Sequence, residues 1–283
     1  MVKNNNMKDY DVKLGTPERF GYAWNIASTI KDINEVQFLN WTKVIKNKSY
    51  WEGKEILDAG CGIGRNTFWP VSYGAKSALA FDMDDRTLQA ARKNLENLKN
   101  VKIKKHSIYE IPYQNKFDIS FSIGVVHHLE FPEKAISELV KCTKPGGQIL
   151  VWLYGYENME IYVSILNPIR RILFSKAPLP LVRLISYLPT IFLYLYIYSG
   201  ISKLEYFKLL KKLTFNQIQQ IVFDQMLPKT AKYYKKEEAL ILLKHPDLYN
   251  HKIEWVNQCS WVVMATKKNY CKIYLCVINL YFR

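Results

Sequence analysis

The residues best placed to do chemistry lie in the run Glu55-Ile-Leu-Asp58-Ala-Gly60-Cys61-Gly62-Ile-Gly64-Arg65. Asp58 closes a short apolar stretch, and three glycines follow at alternate positions. Glycines so spaced let the chain turn with positive φ and bring its backbone close to a ligand at the start of a helix. A dinucleotide loop carries its third glycine one residue later, so that a pyrophosphate can sit on the helix N-terminus. A carboxylate two residues ahead of the loop repels a pyrophosphate but can accept hydrogen bonds from an amine. The spacing therefore disfavours a nicotinamide oxidoreductase. It favours a ligand with an ammonium group and an uncharged linker.

S-adenosylmethionine meets that description, with an amino-acid end, a sulfonium, a ribose and an adenine. A second carboxylate, Asp82, ends the apolar run Ala78-Leu-Ala-Phe-Asp82. A carboxylate there can accept two O–H bonds from a vicinal diol. His127 and His128 follow another apolar run, and a histidine at that point could take a proton from a substrate hydroxyl. Neighbours on an extended segment face opposite ways, so one of the two should point at the substrate, and His127 is the preferred choice. Tyr22 and Trp24 read as an aromatic lid or as an anchor for the first helix. Asp224, Gln225 and Tyr233 are candidates for closing the substrate pocket, although a tyrosine pair followed by charges also suits a half-buried helix face. The pairs Arg170-Arg171, Lys211-Lys212 and Lys235-Lys236 read as solvated faces.

The elements that must position these residues alternate. Short apolar runs at 55–59, 77–82, 101–105, 117–123 and 148–154 read as strands, with helices at 64–73, 85–98 and 132–142 between them. That alternation predicts a parallel sheet covered by helices. Lys144-Pro-Gly-Gly147 reads as a helix stop and turn feeding the fifth strand. A helical pattern near 30–47 precedes the first strand. Residues 156–249 are Leu-, Ile- and Tyr-rich and punctuated by prolines, which fits helices broken by Pro. Alternation at 252–267 reads as a hairpin returning to the sheet edge. The organisation expected is an N-terminal helical cap (1–50), a core (51–155 plus 250–268), a helical substrate-covering insertion (156–249) and an apolar tail (269–283).

At these residues the chain resembles the class I S-adenosylmethionine-dependent methyltransferases, in particular the subgroup of ubiquinone/menaquinone-biosynthesis-like enzymes. Asp58-x-Gly-x-Gly-x-Gly64 resembles the family's first motif, and Asp82 sits where an acidic residue holds the two ribose hydroxyls. Phe117-Asp-Ile-Ser-Phe-Ser122 and the helix ending in Pro145-Gly-Gly resemble its fourth strand and the approach to its fifth. The resemblance implies a Rossmann-like α/β fold, with a mostly parallel seven-stranded sheet, helices on both faces and a helical insertion after strand five. It implies S-adenosylmethionine as cofactor, held by Asp58, Gly60, Cys61, Gly62, Gly64, Arg65, Asp82, Met83, Ser107, Ile108 and Ser122. Ser107 stands where the family usually has an acidic residue, so adenine would be held by a hydroxyl without charge. His127 or His128 would be catalytic, and Tyr22, Trp24, Asp224, Gln225 and Tyr233 would meet the substrate. The implied reaction is methyl transfer to an O, N or C nucleophile of a small or lipid-linked acceptor. The alternative is a cofactor-binding, catalytically silent interaction subunit.

Charge bears on the partner. The 283 residues hold 40 Lys and Arg against 25 Asp and Glu, a formal charge of +15. The half after residue 150 holds the larger share of that excess, which suits an anionic partner or a compositional bias. A nucleic-acid acceptor is disfavoured, because no Asn/Asp-Pro-Pro-aromatic motif follows strand four and no aromatic-basic stripe is present. Leu184–Ser202 is uncharged and near the lower bound for a membrane span. Pro189, Gly200 and mid-segment tyrosines favour an interfacial or substrate-covering element instead. Five cysteines without a Cys-x-x-Cys give neither a disulfide framework nor a metal site. With no apolar leader at the N-terminus, a cytoplasmic protein is expected, with peripheral contact at the inner face of the membrane.

Overall fold

The computed structural model describes residues 16–174, 176–201 and 203–269. The first 15 residues of the expected cap lie outside it, as do Cys271, Cys276 and all of the 269–283 tail except Asn269.

Two helices, α1 (Thr16–Ile26) and α2 (Ile33–Trp41), and a short 3₁₀ turn lead into the sheet. Then come β1 (Glu55–Ala59), α3 (Arg65–Ser72), β2 (Ser77–Asp82), α4 (Asp85–Asn94), β3 (Val101–Lys105) and β4 (Phe117–Ile123). A 3₁₀ turn (Val126–His128) joins β4 to α5 (Pro132–Cys142) and β5 (Thr143–Tyr154). A π-turn (Tyr162–Leu166) opens the insertion, which continues as α6 (Asn167–Phe174), α7 (Leu179–Ser199), α8 (Glu205–Leu210), α9 (Phe215–Met226) and α10 (Lys236–Leu242). The chain returns to the sheet through β6 (Leu248–Val256) and β7 (Ser260–Lys267).

The seven strands lie in the order β3-β2-β1-β4-β5-β7-β6. Strands β1 to β5 pair in parallel, whereas β7 runs antiparallel between β5 and β6. The central strands are apolar on both faces because helices cover both sides of a parallel sheet. One face buries Leu57, Phe81, Ile149 and Val263, and the other buries Ile56, Ile119, Phe121 and Val262. The order reverses between β1 and β4, so the crevice beyond their C-terminal ends is where such a sheet binds ligands.

Several boundaries differ from the sequence expectation; the helix expected at 85–98 ends at Asn94. The Lys144–Gly147 stretch bulges within β5, where pairing with β4 jumps from Phe117–Thr143 to Ile119–Gln148. Gly147 is needed there because a Cβ would overlap the carbonyls of Asp118 and Lys144. The helix near 30–47 is confined to Ile33–Trp41, and β6 starts four residues before the expected hairpin. Arg170 is a correction of another kind. It is buried, donating to the Pro228 carbonyl and to Asn167 Oδ1, rather than lying on a solvated face.

Candidate active site

A cavity of about 1370 Å³ runs from the glycine loop, across the C-terminal ends of the central strands, to the underside of the insertion. Pockets for a single drug-sized ligand are roughly 300–1,000 Å³, so this volume has room for a cofactor and an acceptor together. Gly60, Cys61, Gly62, Arg65, Asp82, Met83, Ser107 and Ile108 line its sheet end. Trp24, His128, Asp224, Gln225 and Tyr233 line the rest. The fold thus brings one volume to residues from both ends of the described chain.

At the sheet end the loop is built around left-handed backbone. Gly60, Gly62 and Gly64 have φ of +83°, +53° and +82°. A Cβ on Gly60 would overlap Val125, and one on Gly64 would overlap Leu95, whereas one on Gly62 would meet nothing. Gly62 therefore leaves room at the ligand side, while Gly64 lets α3 start close against α4. Asp82 holds the loop in place: Oδ2 accepts from the Gly62 N–H at 2.9 Å, and Oδ1 accepts from Met83 and Asp84. Each carboxylate oxygen has about two acceptor positions, so Oδ2 retains capacity for a hydroxyl donor.

Asp58 does not reach the cavity wall. It is buried behind the loop, and Oδ2 accepts from Thr67 Oγ1 at 2.7 Å. Its Oδ1, and Oδ1 of the cavity-lining Asn66, are buried acceptors with no hydrogen-bond partner in the described structure. Asn66 Oδ1, on the cavity wall, is an acceptor that fits an N–H donor such as the amino end of S-adenosylmethionine, with the Asp58 carboxyl behind it. Burial raises the Asp58 pKa to about 7, against the opposing Thr67 hydrogen bond. A cation arriving beside it favours the ionised form.

Ser122 and Gly64 also lie outside the cavity wall. Ser122 Oγ donates to the Ala59 carbonyl at 2.8 Å and so stitches β4 to β1. Ser107 does line the cavity, with its Oγ accepting from the Tyr109 N–H at 3.2 Å. Burial pushes the Cys61 thiol well above its ordinary pKa, so it packs rather than reacts. Arg65, the first residue of α3, lies over the Trp24 ring at 4.4 Å and the Trp41 ring at 4.9 Å. Desolvation lowers its pKa to about 10, yet it stays cationic at neutral pH.

The histidines exchange their expected places. They sit on a 3₁₀ turn, not an extended strand, so the alternation argument does not apply. His127 is fully buried off the cavity, its ring against Tyr154 at 3.8 Å between centroids. Neither of its nitrogens makes a well-formed hydrogen bond, although the Trp152 backbone is close enough to favour the proton slightly. Burial holds its pKa well below the usual range. His128 is the one on the cavity wall, with Nδ1 2.9 Å from the Thr230 carbonyl. That contact makes Nδ1 the donor and leaves Nε2 as an acceptor. Its pKa is lowered to about 4, chiefly by burial, so His128 is neutral at pH 7. Tyr22 is also off the cavity, edge-on to Phe223 in the packing between α1 and α9.

The insertion supplies a polar cluster over the strand ends. Gln225 Nε2 donates to the Tyr154 hydroxyl at 2.8 Å, and its Oε1 receives the hydroxyls of Tyr233 and Tyr162 at 3.3 and 3.4 Å. Tyr233 stacks on Tyr154 with centroids 5.4 Å apart. Burial pushes all three phenols above their ordinary pKa, so they are neutral donors rather than bases. Asp224 next along α9 is different. Burial raises its pKa to about 7, with Arg65 pulling the other way. Tyr154 and Tyr162 carry no motif in the sequence, and Arg170 reads there as a solvated charge. The C-terminal position of Tyr154 on the fifth strand, equivalent to Asp58 and Asp82 on theirs, was the available signal.

Residues 57–151 match the sequence family described as methyltransferase domain. Curated relatives include proteins named tRNA U34 carboxymethyltransferase from Ruthia magnifica and from Klebsiella pneumoniae. Each is 31% identical, over 116 and 123 residues. The match covers 40% and 42% of this chain, and 36% and 37% of those proteins, so it spans little more than a third of their length. These relatives carry tRNA-modification names, so they do not support the narrower likeness to quinone-pathway enzymes. Among solved structures, human N-acetylserotonin methyltransferase in complex with S-adenosylmethionine superposes with a TM-score of 0.53 at 13% identity, covering 95% of this chain and 61% of that one. A Thermotoga maritima S-adenosylmethionine-dependent methyltransferase gives 0.51 at 14%, covering 83% and 92%. At these identities the likeness concerns the fold.

Proposed function

We propose that this chain, which carries an S-adenosylmethionine-dependent methyltransferase domain, methylates a small or lipid-linked acceptor seated under its insertion. The observation that supports this reading is the continuity of one cavity from the glycine loop to the Asp224–Gln225–Tyr233 cluster. The cofactor, when bound, supplies a methyl already activated on its sulfonium. The protein then has to hold two molecules in line, keep water out and accept a proton where the acceptor carries one. Asp82 and Gly62 would hold the ribose side and Asn66 the amino end, with the Asp58 carboxyl lying behind the loop. Asp224 takes the proton in this reading, because its pKa of about 7 matches the working pH better than His128 at about 4. The tyrosine hydroxyls on Gln225 orient the acceptor. His127 serves as a packing residue behind Tyr154.

A tRNA acceptor is the second reading, favoured by the names of the relatives and by the charge of +15. The decisive first experiment is calorimetric titration with S-adenosylhomocysteine on the wild type and Asp82→Ala. Saturable one-to-one binding, weakened by about 1–3 kcal/mol in the variant, is expected from loss of a buried charged acceptor. Absence of binding to the wild type overturns the cofactor assignment. Transfer of labelled methyl into lipid or small-metabolite extract, or into RNA, then separates the two acceptors, and transfer into none of them leaves the silent interaction subunit.

A further inference from the structure

The insertion buries apolar clusters of its own, Val182 with Phe223 and Ile197 with Ile218, yet leaves a second apolar face uncovered. In α7 the side chains that pack inward include Ser186 and Thr190, and Gln219 of α9 donates to Ser186 Oγ at 2.7 Å. The outward positions are apolar: Leu184, Leu188, Phe192 and Leu195 are 68%, 59%, 65% and 63% exposed. They recur at intervals of three and four residues, so they form one stripe along the helix. On α6 Arg170 is buried while Ile172 is 80% exposed. Helices on a protein facing only water show the opposite pattern, and a contiguous apolar face of this kind marks an interaction surface.

Charge indicates what covers it. Between Glu160 and Glu205 the sequence has no acidic residue, but it has Arg170, Arg171, Lys176, Arg183 and Lys203. Arg171, on α6, and Lys176 and Lys203, in the segments that flank α7, are exposed. An apolar stripe set among cations without anions complements an anionic bilayer: alkyl chains for the leucines, head groups for the lysines and arginines. The same helices also form the rim of the cavity. Leu166, Ile169, Tyr187 and Tyr196 line it while remaining exposed.

We propose that the segment Tyr162–Ser199 is a bilayer-docking face that seats the cavity rim against an anionic membrane surface. α7 lies along the interface rather than across the membrane, because its inward face is already packed on α9 through the Ser186–Gln219 hydrogen bond and Val182 against Phe223. An acceptor with an apolar tail then reaches the cavity from the bilayer without crossing water. That last step rests on the methyltransfer reading, whereas the docking does not.

The test is flotation of the full chain with phosphatidylglycerol-containing vesicles and with phosphatidylcholine vesicles alone. S-adenosylhomocysteine calorimetry on the same samples tests the cofactor site separately. The wild type is expected to float with the anionic vesicles, about tenfold less with the neutral ones or at high salt, and to be stripped by alkaline carbonate. Leu184→Glu/Leu188→Glu/Phe192→Glu should stay at the bottom of the gradient while still binding S-adenosylhomocysteine. If the triple variant does not fold, Ile172→Glu on α6 replaces it, with reduced flotation expected. A wild type that does not float, or variants that float equally well, overturns the proposal. Resistance to carbonate makes α7 a span and overturns it too. A lipid-free dimer abolished by the substitutions, without flotation, assigns the face to a second copy of the chain.

Discussion

At the scale of single residues, the site depends on carboxylates that the fold has made hard to ionise. Asp58 is buried and Asp224 half-buried on the cavity wall, and desolvation raises both pKa values to about 7. An aspartate in the unfolded chain titrates near 3.9. Between those values the folded state binds protons that the unfolded state has released. These two groups therefore contribute stability that is present below about pH 4 and is lost as pH rises through about 7. Urea unfolding should show Asp58→Asn and Asp224→Asn gaining stability relative to the wild type at pH 8 more than at pH 4. A constant offset between variant and wild type across that window would mean that neither carboxylate is perturbed. Cofactor binding reverses the burden at Asp58, since a cation beside it favours the charge that burial opposes.

At the scale of elements, the turn between β1 and α3 is the most constrained piece of the site. The tight turn requires positive φ at Gly60, and its Cα faces Val125 just past β4. Gly60→Ala combines backbone strain with overlap against a residue held by the 3₁₀ turn. A loss of about 2–4 kcal/mol is expected from the two effects together. Gly62→Ala shares the strain, φ +53°, but meets open space, so its cost to folding should be smaller and its cost to S-adenosylhomocysteine binding larger. Paired chemical denaturation and calorimetry on the two variants check this. An equal loss of stability in both would remove the distinction between a packing glycine and a ligand-side glycine.

At the scale of the whole molecule, the sheet and the insertion close around one cavity, so ligand and fold are linked. S-adenosylhomocysteine at about a hundred times its Kd should stabilise the chain by about 2.7 kcal/mol. The thermal midpoint should rise accordingly. Gln225→Ala releases the hydroxyls of Tyr154, Tyr162 and Tyr233 at the far end of the cavity. It should keep most of that ligand-induced rise while losing methyl transfer, because the cofactor residues lie on the sheet side. Loss of the rise itself would mean that the two ends of the cavity act as one binding site.

Much of this was legible in the sequence because the signals are local. A strand ending in Asp58 and followed by alternate glycines needs left-handed backbone wherever it occurs, and Asp82 closes the next strand. The first four strands appear at the ranges read from the sequence: β1, β2 and β4 because strands buried in a parallel sheet are rich in apolar residues, and the edge strand β3 through its alternation of Val101 and Ile103 with lysines. Contacts between distant segments were not legible. Which histidine faces the cavity depends on a 3₁₀ turn and on the Thr230 carbonyl, about a hundred residues away in the chain. The raised pKa values of Asp58 and Asp224 come from burial that only packing creates. Arg170 reads as a surface charge until Pro228 and Asn167 are placed beside it. The apolar composition of the insertion was visible, but its direction was not. A periodicity of three and four residues fixes that a helix has two faces, and only the tertiary structure decides which of them the rest of the chain covers.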